Sequence, residues 1–298
     1  MKILSNLILR PGYFFAAKKN KAIKIMNPYD MLYIYYFDGV PFVEEGEQNN
    51  ETYLGTWVEE QIAFLFFSVS ADDTIDGILK KNKGINLIEK YEMTGEQWHG
   101  DKIEPYYVND LCIYPPWNKP FENDAAFKGI MLDPGVVFGT GRHQTTEDCL
   151  YLIHRLCTRD KINSILDIGT GTGLLSLGAA ALGCKHVMAC DFNLLAVKTT
   201  LNNIRLNGFE DQVLAFQARG EQIMGIPCDL LVANIHYDVM QYMIESPFLL
   251  EKKYFILSGL LNSEAKKVLT SLSQKNVHII ERRCPDGIWN TILGKPLT

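Results

Sequence analysis

An aspartate followed by three glycines at alternate positions, Asp167-x-Gly169-x-Gly171-x-Gly173, is the part of this 298-residue sequence best equipped for chemistry. A short apolar run (Ile165, Leu166, Ile168) leads into it, and an apolar, alanine-rich segment ending at Gly183 leads out. That order predicts a buried strand, a turn where backbone can approach a ligand, and a helix whose first N–H groups lack partners. Such a place suits a nucleotide-like cofactor. A dinucleotide loop would read Gly-x-Gly-x-x-Gly, but here the third glycine comes one residue early and an acid precedes the first. The sequence also lacks a phosphate-cradling loop with its lysine. An acid with closely spaced glycines fits a ligand carrying positive charge and no pyrophosphate. S-adenosyl-L-methionine, with its sulfonium and α-ammonium groups, has that chemistry. The competing reading is a tight turn and no more.

Two further polar residues stand where a ligand would meet them. Asp191 ends the next apolar run (HVMACD), twenty-two residues after Gly169. A carboxylate there can accept hydrogen bonds from both hydroxyls of a ribose; otherwise it is a helix cap, a task Asn193 could also perform. Asn234 ends a later apolar run, in Ala233-Asn234-Ile235-His236-Tyr237. Its amide oxygen could accept from a substrate amine and aim the nitrogen lone pair at a methyl group; the alternative is again a cap. His143, His236 and Tyr237 are candidates to take a proton, although a lone histidine is more often structural.

The elements that must hold these residues follow from periodicity. Residues 31–37, 62–69, 85–93 and 111–114 read as strands, and 71–81 as a helix capped by Asp72 or Asp73 with Ile75, Ile78 and Leu79 on one face. The polar stretch 44–51 reads as a loop. This predicts a basic arm over 1–25, a small α+β substrate-recognition domain over 26–118 and a proline-marked linker over 119–130. From 131 to 298 a helix beginning near Thr145 precedes alternating apolar strands and helices. In the helix after Asp191, Leu194, Val197, Leu201 and Ile204 make the expected apolar stripe, with Asn207-Gly208 as its stop. Apolar strands separated by helices mean a parallel sheet covered on both faces. Only Cys284-Pro285-Asp286-Gly287 divides the last two strands, so one of them should run antiparallel.

Composition excludes several classes. No run of eighteen apolar residues occurs, so no membrane-spanning helix is expected. The basic, partly apolar opening is broken by Asn6 and Arg10, and reads as an arm rather than a targeting peptide. Seven scattered cysteines without a Cys-x-x-Cys suit reduced thiols in the cytoplasm and argue against a zinc site. Residues 26–130 carry nineteen acids against seven bases, which argues against a nucleic-acid surface and suits a basic protein partner or simple solubility. A monomer is expected.

At this point MLDPGVVFGTGRHQTT, ILDIGTGTGLLSLGAAALG, ACDFN, LVANI and FILSGLL resemble a known family. They are similar to the ribosomal protein methyltransferases that trimethylate lysines and the N-terminus of large-subunit protein eleven, the PrmA family. The likeness covers roughly residues 105–298, is loose over the N-terminal domain and does not extend to residues 1–25. It implies a class I, Rossmann-like S-adenosylmethionine-dependent methyltransferase acting on protein amines, most naturally those of a ribosomal protein. It also implies cofactor contacts at Thr146, Gly169, Asp191 and Asn234; a helix cap is the plain alternative for Thr146. Gln144 stands where the family usually has proline, threonines occupy 170 and 172, and His236-Tyr237 replaces small or aliphatic residues beside the expected substrate amine. The competing functions are methylation of another protein's lysine or of an adenine amine, a nicotinamide-dependent oxidoreductase and a cofactor-binding module without catalysis. Asn234 and Tyr237 match the ends of an Asn-Pro-Pro-Tyr motif, but both prolines are absent.

Overall fold

The computed structural model describes residues 27–100, 102–120, 127–137 and 139–297; the expected basic arm lies outside them. The N-terminal part runs β1 (Met31–Asp38), α1 (Glu45–Gln48), β2 (Tyr53–Glu59), β3 (Ile62–Phe67), α2 (Asp72–Lys81), β4 (Asn86–Thr94) and α3 (Gly95–His99). Its four strands form an antiparallel sheet in the order β2-β3-β1-β4. Side chains alternate across a strand, and β1 buries both sets. Tyr35 and Phe37 face the α2 side with Ile75 and Ile78. Leu32 and Ile34 face the other way, onto Val136, Val137, Leu195 and Ala196 of the C-terminal part. Each large apolar side chain buried there contributes about 1.5–3 kcal/mol to holding the two parts together.

Three expectations for this region need correcting. The stretch 44–51 contains α1, and β2 follows it as an edge strand whose Gly55 and mixed polarity hid its period. Ala71, not Asp72 or Asp73, occupies the cap of α2; Asp72 instead accepts from the Tyr35 hydroxyl at 2.8 Å and from Ser70 at 2.7 Å. The segment expected as a linker contributes β7. Here β5 (Tyr106–Val108), β6 (Leu111–Tyr114) and β7 (Lys128–Met131) form a small sheet, with β6 parallel to β7. Leu111, Ile113 and Ile130 are buried in the core of the larger part, so the expected boundary at 118 falls inside a packed unit.

The C-terminal part continues with α4 (Gln144–Arg159), β8 (Ser164–Ile168), α5 (Leu174–Ala181), β9 (His186–Asp191), α6 (Leu194–Asn207), β10 (Val213–Gln217) and α7 (Gly220–Ile223). It ends with β11 (Leu230–Asn234), α8 (Tyr237–Glu245), β12 (Tyr254–Leu261), α9 (Asn262–Ser273), β13 (Val277–Arg283) and β14 (Trp289–Pro296). The sheet order is β10-β9-β8-β11-β12-β14-β13. Pairings from β10 to β12 are parallel, and β14 inserts antiparallel between β12 and β13, as the short 284–287 connection requires. Strand order reverses at β8, where β9 lies on one side and β11 on the other, and ligands bind at such a switch point. The stripe expected on α6 shifts by one residue at its start. Leu195 is buried against the N-terminal part, while Leu194 lies at the edge of a cleft.

Candidate cofactor and methyl-transfer site

The glycine turn follows β8 at that switch point. Gly169, Gly171 and Gly173 have φ of +73°, +57° and +87°, which side-chain-bearing residues rarely adopt. At Gly169 space adds to the requirement, because a Cβ would lie 2.3 Å from Cγ2 of Ile235, just beyond β11. The N–H groups of Gly169 and Thr170 both donate to the Cys190 carbonyl at 2.9 Å, which binds the turn to the end of β9.

Asp167 lies beneath the turn, 1% exposed. Its Oδ2 accepts from Thr170 Oγ1 and Ser176 Oγ, each at 2.7 Å, while Oδ1 has no partner among the described residues. Burial pushes its pKa up, against the two hydroxyl contacts that lower it. Thus the threonine at 170 serves the aspartate. The threonine at 172 serves the neighbouring segment, donating to the Gly139 carbonyl at 3.0 Å.

Asp191 is 6% exposed at the end of β9. Its Oδ2 accepts from Gly171 N–H at 3.1 Å and its Oδ1 from Asn193 N–H at 2.9 Å. Burial lifts its pKa to about 6, despite the lowering effect of those N–H groups. The helix cap belongs to Asn193, whose Oδ1 accepts from Leu195 N–H at 3.0 Å. A carboxylate has about four acceptor positions, so Asp191 keeps capacity for the hydroxyls of a ligand.

Asn234 and Thr146, 88 residues apart in sequence, meet across the sheet end. Asn234 Nδ2 donates to Thr146 Oγ1 at 3.3 Å. Neither caps a helix. His143 caps α4, its Nδ1 accepting from Thr145 N–H at 3.4 Å and lying 2.7 Å from Thr145 Oγ1; its ring meets Trp289 edge-on at 5.0 Å. His236 caps α8 and is exposed, with no side-chain cap bond. Tyr237 is turned toward α9, with Lys267 Nζ 5.1 Å from its ring centre. The structure therefore brings Asp167 and Asp191 against the turn of three glycines and joins Thr146 to Asn234. Its contacts do not bring His143 or Tyr237 into the Thr146–Asn234 pair.

Two supporting residues escaped the sequence reading. Asn203 of α6 is fully buried: its Oδ1 accepts from Asp133 N–H at 2.9 Å, and its Nδ2 donates to the carbonyls of Asp133 and Thr172 at 2.8 Å each. The signal for it was a polar residue on the apolar face of α6. Gly259 sits in β12 at a register irregularity with φ of +83°. A Cβ there would lie 2.8 Å from the Ile235 carbonyl and 3.1 Å from Asn234 Oδ1. A lone glycine inside a strand signals such close approach. Gly259→Ala is expected to cost about 2 kcal/mol of stability through backbone strain. It should lower kcat by more than the melting shift accounts for, because Asn234 is displaced. Thermal melting and single-turnover kinetics check this, and an unchanged kcat would contradict it.

The residues fit the expected group. A buried acid with free acceptor positions lies beside a turn of glycines, and a second acid with an unpartnered oxygen lies below it. Among the described residues no cluster of histidine, cysteine and acids could hold a metal ion.

A mostly parallel seven-stranded sheet with an inserted antiparallel strand, an acid–glycine turn at the switch point and an acid ending the next strand define a class I S-adenosylmethionine-dependent methyltransferase. The sequence matches the family described as ribosomal protein L11 methyltransferase (PrmA) over residues 42–296. The chain belongs to that family. A ribosomal protein L11 methyltransferase of Lactococcus lactis subsp. lactis is 31% identical over 266 residues, 88% of this chain and 77% of that protein. One from Streptococcus pyogenes serotype M28 is 28% identical over 279 residues, 87% and 86% of the two chains. The crystal structure of a ribosomal protein L11 methylase from Lactobacillus delbrueckii subsp. bulgaricus superposes with a TM-score of 0.56 at 25% identity, covering 65% of this chain and 98% of that one.

Proposed function

We propose that this protein methylates amines of ribosomal protein L11, on lysine side chains, the N-terminus or both. The observation that carries the reading is the Asn234–Thr146 pair, at the strand end where a substrate amine would meet a methyl donor held by the glycine turn. The family match begins at residue 42, inside the N-terminal domain, which supports a shared protein substrate as well as shared chemistry.

When bound, the cofactor supplies a methyl group on a positively charged sulfur. Asp191 would accept from the ribose hydroxyls, the N–H groups and bare Cα positions of 169–173 would line the donor, and Asp167 would offset positive charge from below. Asn234 Oδ1 would accept from the incoming amine and fix the direction of its lone pair, with Thr146 holding the amide. Positioning supplies much of the rate in such an in-line displacement. A lysine with a pKa near 10.4 must first lose a proton, at a cost of about 4–5 kcal/mol at pH 7. His236, exposed two residues after Asn234, is better placed than Tyr237 to pass that proton to water.

A cleft of about 390 Å³ opens between the domains, lined by Val40, Phe42, Tyr53, Val58 and, directly after Asp191, Phe192. Phe42 is 70% and Phe192 50% exposed. It supports a reading in which a protein segment enters between the domains. No helix among the described residues is long and apolar enough to cross a membrane, and all seven cysteines are free thiols. The free thiols support a cytoplasmic location, and we expect a monomer without nucleic-acid readout.

The test is transfer of labelled methyl groups to purified L11, with the modified positions read by mass spectrometry. Label on lysines or the N-terminus is expected. Label on L11-free RNA, or on no protein of a cell lysate, would remove the reading.

A further inference from the structure

The segment 133–137 runs between the two domains, and one side of it is tied to the glycine turn. On that side Asn203 bridges Asp133 and the Thr172 carbonyl, and Thr172 Oγ1 donates to the Gly139 carbonyl. On its own account the segment is a turn: Asp133 Oδ1 accepts from Gly135 N–H at 2.9 Å, and Val137 N–H donates to the Pro134 carbonyl at 3.1 Å. The carbonyls of Gly135 and Val136 point the other way, toward the N-terminal domain, and α3 meets them. Trp98 Nε1 donates to the Val136 carbonyl at 3.0 Å, and His99 Nε2 lies 2.9 Å from the Gly135 carbonyl.

That helix is built for placement rather than length. It has five residues and a reciprocal cap, in which Thr94 Oγ1 accepts from Gln97 N–H at 3.2 Å and Gln97 Oε1 accepts from Thr94 N–H at 2.8 Å. Gly100 ends it in the left-handed conformation. A capping box of this kind fixes how a short helix enters and therefore which way its last turn points. The Trp98 ring is anchored edge-on against Phe66 at 5.2 Å. Burial holds the His99 pKa below its ordinary value, with the Gly135 contact opposing, so the ring is neutral at pH 7 and donates as the Nε2–H tautomer.

We propose that Trp98 and His99 are positioning residues for the cofactor, acting from the N-terminal domain through residues 133–137 and Asn203 on the wall of the glycine turn. The inference rests on the reading that this turn holds S-adenosylmethionine. It makes cofactor affinity depend on where the N-terminal domain sits. By reciprocity, cofactor binding then favours the docked arrangement of the two domains.

Binding of S-adenosylhomocysteine to the full chain, measured by calorimetry, tests it. Trp98→Phe keeps an aromatic ring and removes the donor; His99→Leu removes the donor, and His99→Gln restores one. Trp98→Phe and His99→Leu should each raise Kd about five-fold, the equivalent of one net hydrogen bond of about 1 kcal/mol. His99→Gln should lie closer to wild type. Steady-state kinetics should show KM for the cofactor rising more than kcat falls. If α3 merely covers apolar surface, these variants lower the melting temperature and bind as wild type does, and the inference is overturned. Should Trp98→Phe fail to fold, the His99→Leu and His99→Gln pair decides alone. Wild-type binding left unchanged by Asp191→Asn would instead overturn the reading of the glycine turn, and this inference with it.

Discussion

Asp191→Asn is expected to weaken S-adenosylmethionine binding at pH 7.5 by about 100-fold while leaving the protein folded. A charge-assisted hydrogen bond contributes about 1.5–3 kcal/mol, and an amide offers one acceptor where the carboxylate offered two. The effect on the fold should be small because two changes oppose each other. The new amide turns an NH2 toward the N–H of Gly171 or Asn193, which costs about 1–3 kcal/mol. Against that, an ionised acid with a pKa of about 6 is no longer held inside, relieving about 3 kcal/mol at neutral pH.

The pH dependence carries the same signature with two opposite signs. The folded-state pKa of Asp191 is raised above its ordinary value of 3.8. Its contribution to stability is therefore full below pH 4 and declines as pH rises through about 6. Ligand hydroxyls need the ionised acceptor, so affinity should fall about tenfold per pH unit below pH 6. In Asp191→Asn that slope should vanish, within both calorimetric titrations and melting curves. Wild-type affinity in the variant, or an unaltered slope, would show that Asp191 does not hold the cofactor.

Asn234→Ala should act on the chemical step. A misplaced amine costs roughly 100-fold in rate, so kcat should fall by about that factor, with a smaller change in cofactor Kd. Thr146→Val removes the acceptor of Asn234 Nδ2 and frees the amide to rotate, and a loss of about five-fold in kcat is expected. The two effects should not add: once Asn234 is alanine, Thr146→Val has no amide left to release. Rapid-quench single-turnover measurements on the four proteins of that cycle give the coupling. Independent effects would mean that Thr146 touches ligand without acting through Asn234.

Local signals in this chain were legible because local physics produced them. The apolar strands, the spacing of Gly169, Gly171 and Gly173, the strand-end positions of Asp191 and Asn234, and the hairpin-length connection at 284–287 all follow from backbone sterics and side-chain alternation. β2 was missed because an edge strand with mixed polarity and a central glycine has no clear period. The N-terminal strands even carried an unread message. MLYIYYF is apolar at odd and even positions alike, because one face of β1 meets α2 and the other meets Val136 and Leu195.

Taken alone, the sequence determined the class of cofactor, the family and the sheet with its antiparallel insertion, since each depends on contiguous residues. The tertiary structure alone decided what the polar groups do. It made Asn193 rather than Asp191 the cap, gave the Asn234 amide to Thr146 rather than to a helix end, and turned Tyr237 toward Lys267. It also decided that α3 of the first domain reaches the segment beside the glycine turn. Hydrogen bonds between residues tens of positions apart are set by how packed elements meet. No periodicity in the chain records them.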